Sequence, residues 1–128
     1  MMMKDKYLFI NELFLLFPAL EEEFQDKDYT ASITFQMGSF KRFIQEAIDG
    51  NDLNKFDSMV DFLVKNLPLV DKPIQNAIYI SFLGKLNFSK NPNIKKRLGE
   101  SLSKAYSDIE NYNNSGAREK GEKFLKKF

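Results

Sequence analysis

The sequence predicts an all-α protein, a compact bundle of five to six helices arranged in antiparallel hairpins. Three observations support this prediction. Apolar residues recur at helical spacing in successive segments, Pro, Gly or Asp separates those segments, and no run shows the alternation that is typical of a half-buried strand. The segment 74–86 is apolar nearly all round, which is typical of a central helix. The chain has 128 residues, 43% of them hydrophobic, so we expect one helical domain over residues 1–113. A basic tail at 114–128, which could form a short helix, follows it.

The first half of the chain predicts three helices. The first runs from Asp5 to Phe17, with Tyr7 in its core stripe. Because it is apolar on several sides, we expect other elements to cover it on more than one side. Pro18 suits the first position of a short second helix. Residues 28–34 are predicted as a loop, and the third helix extends from Phe35 to Asp49. Gly50 is expected to end it in a left-handed conformation.

The second half predicts three more helices. Asp52 is expected to cap a fourth helix that ends near Leu67, and Asp71 marks the start of the fifth. A single long helix is predicted to start at Asn91 and to end near Ile109, followed by a turn or a fraying segment over 111–116. Apolar positions of the third helix correspond to those of the fifth at an offset of 34 residues, and those of the fourth helix to those of the last helix at an offset of 38 residues. A HEAT-like arrangement is therefore an alternative to a simple bundle.

The composition removes most catalytic and metal chemistry. The chain contains neither Cys nor His, which excludes disulfides, thiolate and imidazole metal sites, Cys nucleophiles and the Ser-His-Asp triad. No Gly-rich phosphate loop or paired catalytic carboxylate motif occurs. We therefore predict no enzyme activity, no cofactor, no metal and no catalytic residue. Tyr79 and Ser81 are the polar groups expected to lie deep in the core.

Charge is unevenly distributed along the chain. Residues 1–80 contain 8 basic and 13 acidic side chains, whereas residues 81–128 contain 11 and 5. Two interpretations remain open: solvated faces that attract one another within the fold, or surfaces of opposite sign that bind a partner. The candidate partner-binding residues under the second interpretation are Asp49, Asp52, Asp57, Asp61, Lys95, Lys96 and Arg97.

Four segments resemble a family of small bacterial all-helical proteins of unknown function. These segments are 15–24 (LLFPALEEEF), 38–44 (GSFKRFI), 56–64 and 70–86. The family pattern includes LFPxLxEEF and VQNAIxxSFLExL, and the resemblance covers about residues 7–90. Where that pattern has Glu after Phe-Leu, this chain has Val64 and Gly84. The resemblance implies the helical fold and a loose association with bacterial toxin–immunity clusters.

We predict a non-enzymatic, cytoplasmic protein that binds a protein partner, with immunity-type neutralisation of a bacterial toxin as its particular role. The alternative is a nucleic-acid-associated accessory protein whose basic C-terminal segment contacts phosphates. A third class is a small-ligand pocket among the Phe-rich helices. The apolar run near the N-terminus contains Asn11 and Glu12 and is too short to span a bilayer, so no membrane partner is expected.

Overall fold

The computed structural model describes residues 3–24 and 31–114. These ranges contain six α-helices, which are α1 (Lys6–Leu16), α2 (Pro18–Glu23), α3 (Ile33–Asp49), α4 (Leu53–Asn66), α5 (Lys72–Ala77) and α6 (Gly99–Asn114). One π-helical turn (Ile78–Phe82) and three 3₁₀ segments (Leu67–Leu69, Leu83–Lys85, Pro92–Leu98) complete them. Within the described ranges the only β pairing is an isolated bridge between Lys4 and Val70. The predicted all-α bundle is therefore confirmed, while the tail beyond Asn114 lies outside the described residues.

The N-terminal pair of helices follows its capping residues. The Asp5 carboxylate accepts a hydrogen bond of 2.9 Å from the backbone N–H of Leu8 and so begins α1. Phe17 separates α1 from α2, and Pro18 occupies the first turn of α2, as predicted. The rings of Phe14 and Phe24 meet edge to face with centroids 5.0 Å apart, which holds the two helices together.

α3 begins two residues earlier than predicted. The Ser32 hydroxyl caps it by accepting from the N–H of Phe35. Ile33 and Thr34 are thus helical and not part of a loop. The apolar period becomes visible only after these two residues, and a capping serine alone is a weak signal. Of the remaining predicted loop, residues 28–30 lie outside the described residues.

The turn between α3 and α4 corrects the prediction for Gly50. Gly50 has φ −90°, and Asn51 is the residue with positive φ, 58°. The N–H of Asn51 donates to Ile48 O and that of Asp52 to Ala47 O, which is the Schellman arrangement one residue later than expected. Asn tolerates the left-handed region because its side chain is short and polar. The Asp52 carboxylate then caps α4 by accepting from the N–H of Lys55.

The predicted central segment lies in the core. Ile74, Ile78 and Phe82 are between 0 and 2% exposed. The Phe82 ring stacks on Phe40 of α3, with centroids 4.4 Å apart and an interplanar angle of 13°. Asp71 begins the segment by capping α5 through the N–H of Ile74. The helical conformation continues from Lys72 to Lys85 without a break, but its geometry changes from α to π to 3₁₀ along the way.

The C-terminal helix differs from the prediction at both ends. Gly99 has φ +81° and divides the predicted single helix into a 3₁₀ segment and α6. A non-Gly residue rarely adopts this backbone conformation, so the break needs glycine. α6 then continues to Asn114, so of the two alternatives for residues 111–116 the turn is wrong for 111–114, while residues 115 and 116 lie outside the described residues. The apolar periodicity persists across Gly99, which is why the break was not predicted.

The buried polar residues are not the predicted ones. Tyr79 and Ser81 are only half-buried, whereas Gln36, Ser39 and Asn66 are 2–5% exposed. The Asn66 amide donates to Phe62 O, and its Oδ1 accepts a 2.7 Å hydrogen bond from Lys4 Nζ. That contact ties the N-terminal residues to α4. A partner 62 residues away in the chain explains this burial, and no local pattern reveals it.

Candidate protein-binding surfaces

The acidic candidates on the α3–α4 hairpin are largely occupied within the fold. The Asp49 carboxylate accepts from Gln45 Nε2 at 3.0 Å and lies 3.8 Å from Lys90 Nζ. Asp52 caps α4. Asp61 is exposed, and within the described ranges it forms no ion pair. Of the candidates on this hairpin, only Asp61 therefore has a carboxylate that faces solvent without a described partner.

Asp57 and Arg97 form the best-defined ion pair of the described residues. Arg97 Nε donates to Asp57 Oδ1 at 2.8 Å, and a second guanidinium nitrogen donates to Oδ2. This two-point geometry is typical of Arg–carboxylate recognition. The hydrogen bonds from Arg97 hold the pKa of Asp57 below its usual value, and the carboxylate in turn raises the pKa of Arg97. The pair joins α4 to the 3₁₀ segment that precedes α6.

The other basic candidates differ in their surroundings. Lys95 Nζ lies 4.8 Å from the centroid of the Tyr106 ring and 3.9 Å from Glu110 Oε2. Lys96 is exposed and has no ion pair among the described residues. Burial is the main cause that raises the pKa of Tyr106 to about 12, and its hydroxyl donates to Leu86 O at 3.2 Å. Lys95 thus supports the packing of α6.

The fold therefore brings the two charged regions together. Arg97 pairs with Asp57, and Lys90 lies beside Asp49. These contacts favour the interpretation in which oppositely charged faces attract one another within the molecule. Partner binding by the seven candidate residues stays a prediction.

The Asp57–Arg97 pair is expected to make the stability of the fold depend on pH. Because the pKa of Asp57 is lowered in the folded protein, the pair stabilises the fold above the unfolded pKa, near 3.8. That contribution is lost as the pH falls through the folded pKa. We expect Arg97→Gln to raise the pKa of Asp57 toward its ordinary value, as measured by NMR titration of the carboxyl carbons. Lys96→Gln removes the same charge one residue away and should leave the Asp57 titration unchanged. An equal shift in both variants would contradict the pairing.

The α1 helix exposes an apolar surface that the sequence interpretation missed. One side of α1 packs on the core through Phe9, Ile10, Leu13 and Phe14. On the other side Leu15 is 83% exposed and Tyr7 65% exposed. The described residues thus cover α1 on one side only. This corrects both the prediction of cover on more than one side and the placement of Tyr7 in the core.

Two rows of residues form this surface, which we name the outer face of α1. Residues four apart lie along one ridge of a helix. The two adjacent rows are Tyr7, Asn11 and Leu15, and Leu8, Glu12 and Leu16. Glu12 is fixed by Lys4, whose Nζ lies 2.7 Å from its Oε2. The sequence signal was present, because apolar residues on both sides of α1 predict either two covered faces or one exposed face. Helical spacing cannot distinguish these outcomes.

The described residues show neither a metal centre nor a membrane-spanning helix. They contain no group of three or more acidic side chains placed to hold a metal ion. No described helix is both long enough and apolar enough to cross a bilayer.

The described residues form a small all-helical domain with a Phe-rich core and an exposed apolar helix face. By sequence the chain belongs to a family described as a domain of unknown function, DUF7674, whose profile matches residues 10–114. The match extends past residue 90, where the resemblance seen in the sequence ended, through the whole of α6. Neither a curated protein nor a solved structure matches the chain.

Proposed function

We propose that this protein is a non-enzymatic, cytoplasmic protein-binding domain that contacts its partner through the outer face of α1. The exposure of Leu15 and Tyr7, 83% and 65%, carries the proposal. Apolar side chains grouped on one helix face release water when a partner covers them, and such patches mark interaction sites. The opposite side of the same helix is packed on the core, so the face is held on a fixed support.

Immunity-type neutralisation of a bacterial toxin is the particular role that we propose. It rests on the resemblance of residues 7–90 to a family loosely associated with toxin–immunity clusters. An immunity protein acts by binding, so it needs a docking face and no catalytic group. An exposed apolar helix face on a small domain fits that requirement.

Nucleic-acid binding is less well supported than protein binding. Its basic side chains include Arg97, which is paired with Asp57, and Lys95, which lies against Tyr106 and near Glu110. Binding phosphate would require these cations to leave carboxylates that already neutralise them. The outer face of α1 requires no such exchange.

Site-specific cross-linking tests the proposed face. A photo-reactive amino acid at position 11, between Tyr7 and Leu15 in one row of the face, is expected to cross-link one protein in cells of the native host. Leu15→Glu should abolish that product while the far-UV circular dichroism stays unchanged. The matched control places the photo-reactive residue at position 64, an exposed apolar site on α4. Identical products from both positions, or none from position 11, would argue against the proposal.

Growth measurements then test the immunity role. The cross-linked protein, expressed alone, should arrest growth, and co-expression of this chain should restore it. Leu15→Glu should fail to restore growth. A partner that is harmless to the cell would end the immunity role but leave protein binding in place.

A further inference from the structure

We propose that the outer face of α1 docks a basic amphipathic helix of its protein partner. This inference rests on the proposed function and adds the chemistry of the bound segment. It follows from two features of residues 3–24: the ridge geometry of α1 and the excess of carboxylates over lysines.

The geometry of α1 suits a helix. The rows at positions 7, 11 and 15 and at positions 8, 12 and 16 run side by side, and on an α-helix such neighbouring ridges are separated by a groove. A ridge of side chains from a second helix fits such a groove, which is the commonest packing of helix pairs. α1 has 11 residues and is about 16 Å long, so it can contact about three turns of a partner helix. Apolar side chains at four-residue spacing on the partner would meet Leu8 and Leu15.

The N-terminal region that contains α1 and α2 is negatively charged. Residues 3–24 contain five carboxylates and two lysines, a formal net charge of −3. Glu21, Glu22 and Glu23 are all exposed on α2, which begins two residues after α1 ends. A partner with Lys or Arg beside its apolar stripe is attracted to this surface, whereas an acidic one is repelled.

The two lysines of this region reduce its negative charge but do not cancel it. Lys4 Nζ donates to both Glu12 Oε2 and Asn66 Oδ1 at 2.7 Å. Lys6 Nζ donates to the backbone oxygen of Ala31 at 3.0 Å. Lys6 Nζ also lies 5.2 Å from the centroid of the Tyr7 ring, so its positive charge remains at one end of the face. The ammonium of Lys4 is paired with Glu12, and the three exposed glutamates of α2 leave this region negative overall.

A second copy of the chain is a poorer occupant than a basic helix. A twofold dimer through the outer face of α1 would place the same surface on both sides of the interface. Residues 3–24 of each copy, with a net charge of −3, would then face the same residues of the other copy, and like charges oppose association. The expected occupant is therefore a different protein.

Peptide binding to the full-length chain tests the inference. The probe is a fluorescent amphipathic peptide of Leu and Lys, about five helical turns long, and its matched control has Glu in place of every Lys. We expect the Lys peptide to bind at least about ten-fold more tightly in fluorescence anisotropy. Replacing Glu21, Glu22 and Glu23 with Gln should weaken its binding several-fold and reduce its salt dependence.

A pair of variants separates docking from simple charge attraction. Leu15→Glu adds a negative charge but removes the most exposed apolar side chain of the face, so binding should weaken about ten-fold. Val64→Glu adds the same charge on α4. Val64 lies between Phe62, whose ring contacts Phe9 of α1, and Asn66, which binds Lys4. Positions two residues apart point to opposite sides of a helix, so Val64→Glu should not weaken binding.

The outcomes distinguish this inference from the proposed function. Unchanged or tighter peptide binding by Leu15→Glu would overturn docking in the groove. Equal binding of the Lys and Glu peptides would overturn the basic chemistry. A dimer in sedimentation that Leu15→Glu dissociates would overturn it too, because a second copy would then be the occupant. If the peptide test fails while position 11 still cross-links one protein, the chain binds a partner of different chemistry.

Discussion

Phe40→Ala is expected to lower the free energy of unfolding by about 3–5 kcal/mol, which is typical of removing a buried phenyl ring. Phe40 is fully buried on α3, and its ring stacks on Phe82 at 4.4 Å. The Phe17 ring lies 6.1 Å from it on another side. Truncation therefore removes contacts to the central segment and to the N-terminal helices at once. Because domains of this size have only about 5–15 kcal/mol of stability, the melting temperature should fall by more than about 10 °C.

Phe35→Ala is the matched control for this measurement. Phe35 lies on the same helix but is 47% exposed, so its loss should change stability by about 0.5 kcal/mol or less. Urea unfolding followed by circular dichroism measures both variants. Should Phe40→Ala prove too unstable to purify, Phe40→Leu keeps part of the ring volume and should give an intermediate value. Equal losses at positions 35 and 40 would mean that the stacked pair is not at the centre of the core.

The fold was predictable because its signals are local. Pro18 and Asp71 mark helix starts through backbone geometry and capping, and the apolar run at 74–86 identifies the central segment without any knowledge of its neighbours. Gly99 shows the limit of such signals. The need for its positive φ arises from how the 3₁₀ segment and α6 join, and the apolar pattern is the same with or without that break.

The candidate surfaces were less predictable because charge and exposure depend on tertiary neighbours. Asp57 and Arg97 are both candidate partner-binding residues by sequence, and 40 positions separate them in the chain. Their pairing follows from the packing of the 3₁₀ segment on α4, and the spacing of residues in the sequence does not predict that packing. The sequence places Leu15 in a covered helix because an apolar residue is buried more often than not. Only the positions of the other helices show that it is exposed.

Departures from the family pattern are informative when the structure shows what surrounds them. Val64 occupies a position at which the family pattern has Glu. It is 48% exposed on α4, so a carboxylate there would be solvated. Gly84, at the second such position, is different. A Cβ built on Gly84 would lie 2.7 Å from Cγ2 of Ile109 and 3.2 Å from the backbone oxygen of Tyr79. In this chain the missing side chain lets α6 lie directly against the backbone of the central segment.

Gly84→Ala is accordingly expected to lower the free energy of unfolding by about 1–3 kcal/mol, the usual cost of overpacking a core. Ile109 is β-branched and 5% exposed, so it cannot rotate away easily and α6 must shift instead. Gly38→Ala is the matched control. Gly38 lies inside α3 with nothing within 4 Å of an added Cβ, and the better helix propensity of Ala should stabilise the protein by about 0.5–1 kcal/mol.

A double-mutant cycle attributes the cost of Gly84→Ala to the contact with Ile109. Ile109→Ala alone should destabilise by about 2–5 kcal/mol, because it leaves a cavity. It also removes the methyl group that a Cβ added at position 84 would strike. The two changes together should therefore cost less than the sum of their separate costs, by about 1 kcal/mol or more. Additive losses would show that α6 does not press on the central segment at residue 84. A stabilising Gly84→Ala would show that the close approach itself is absent.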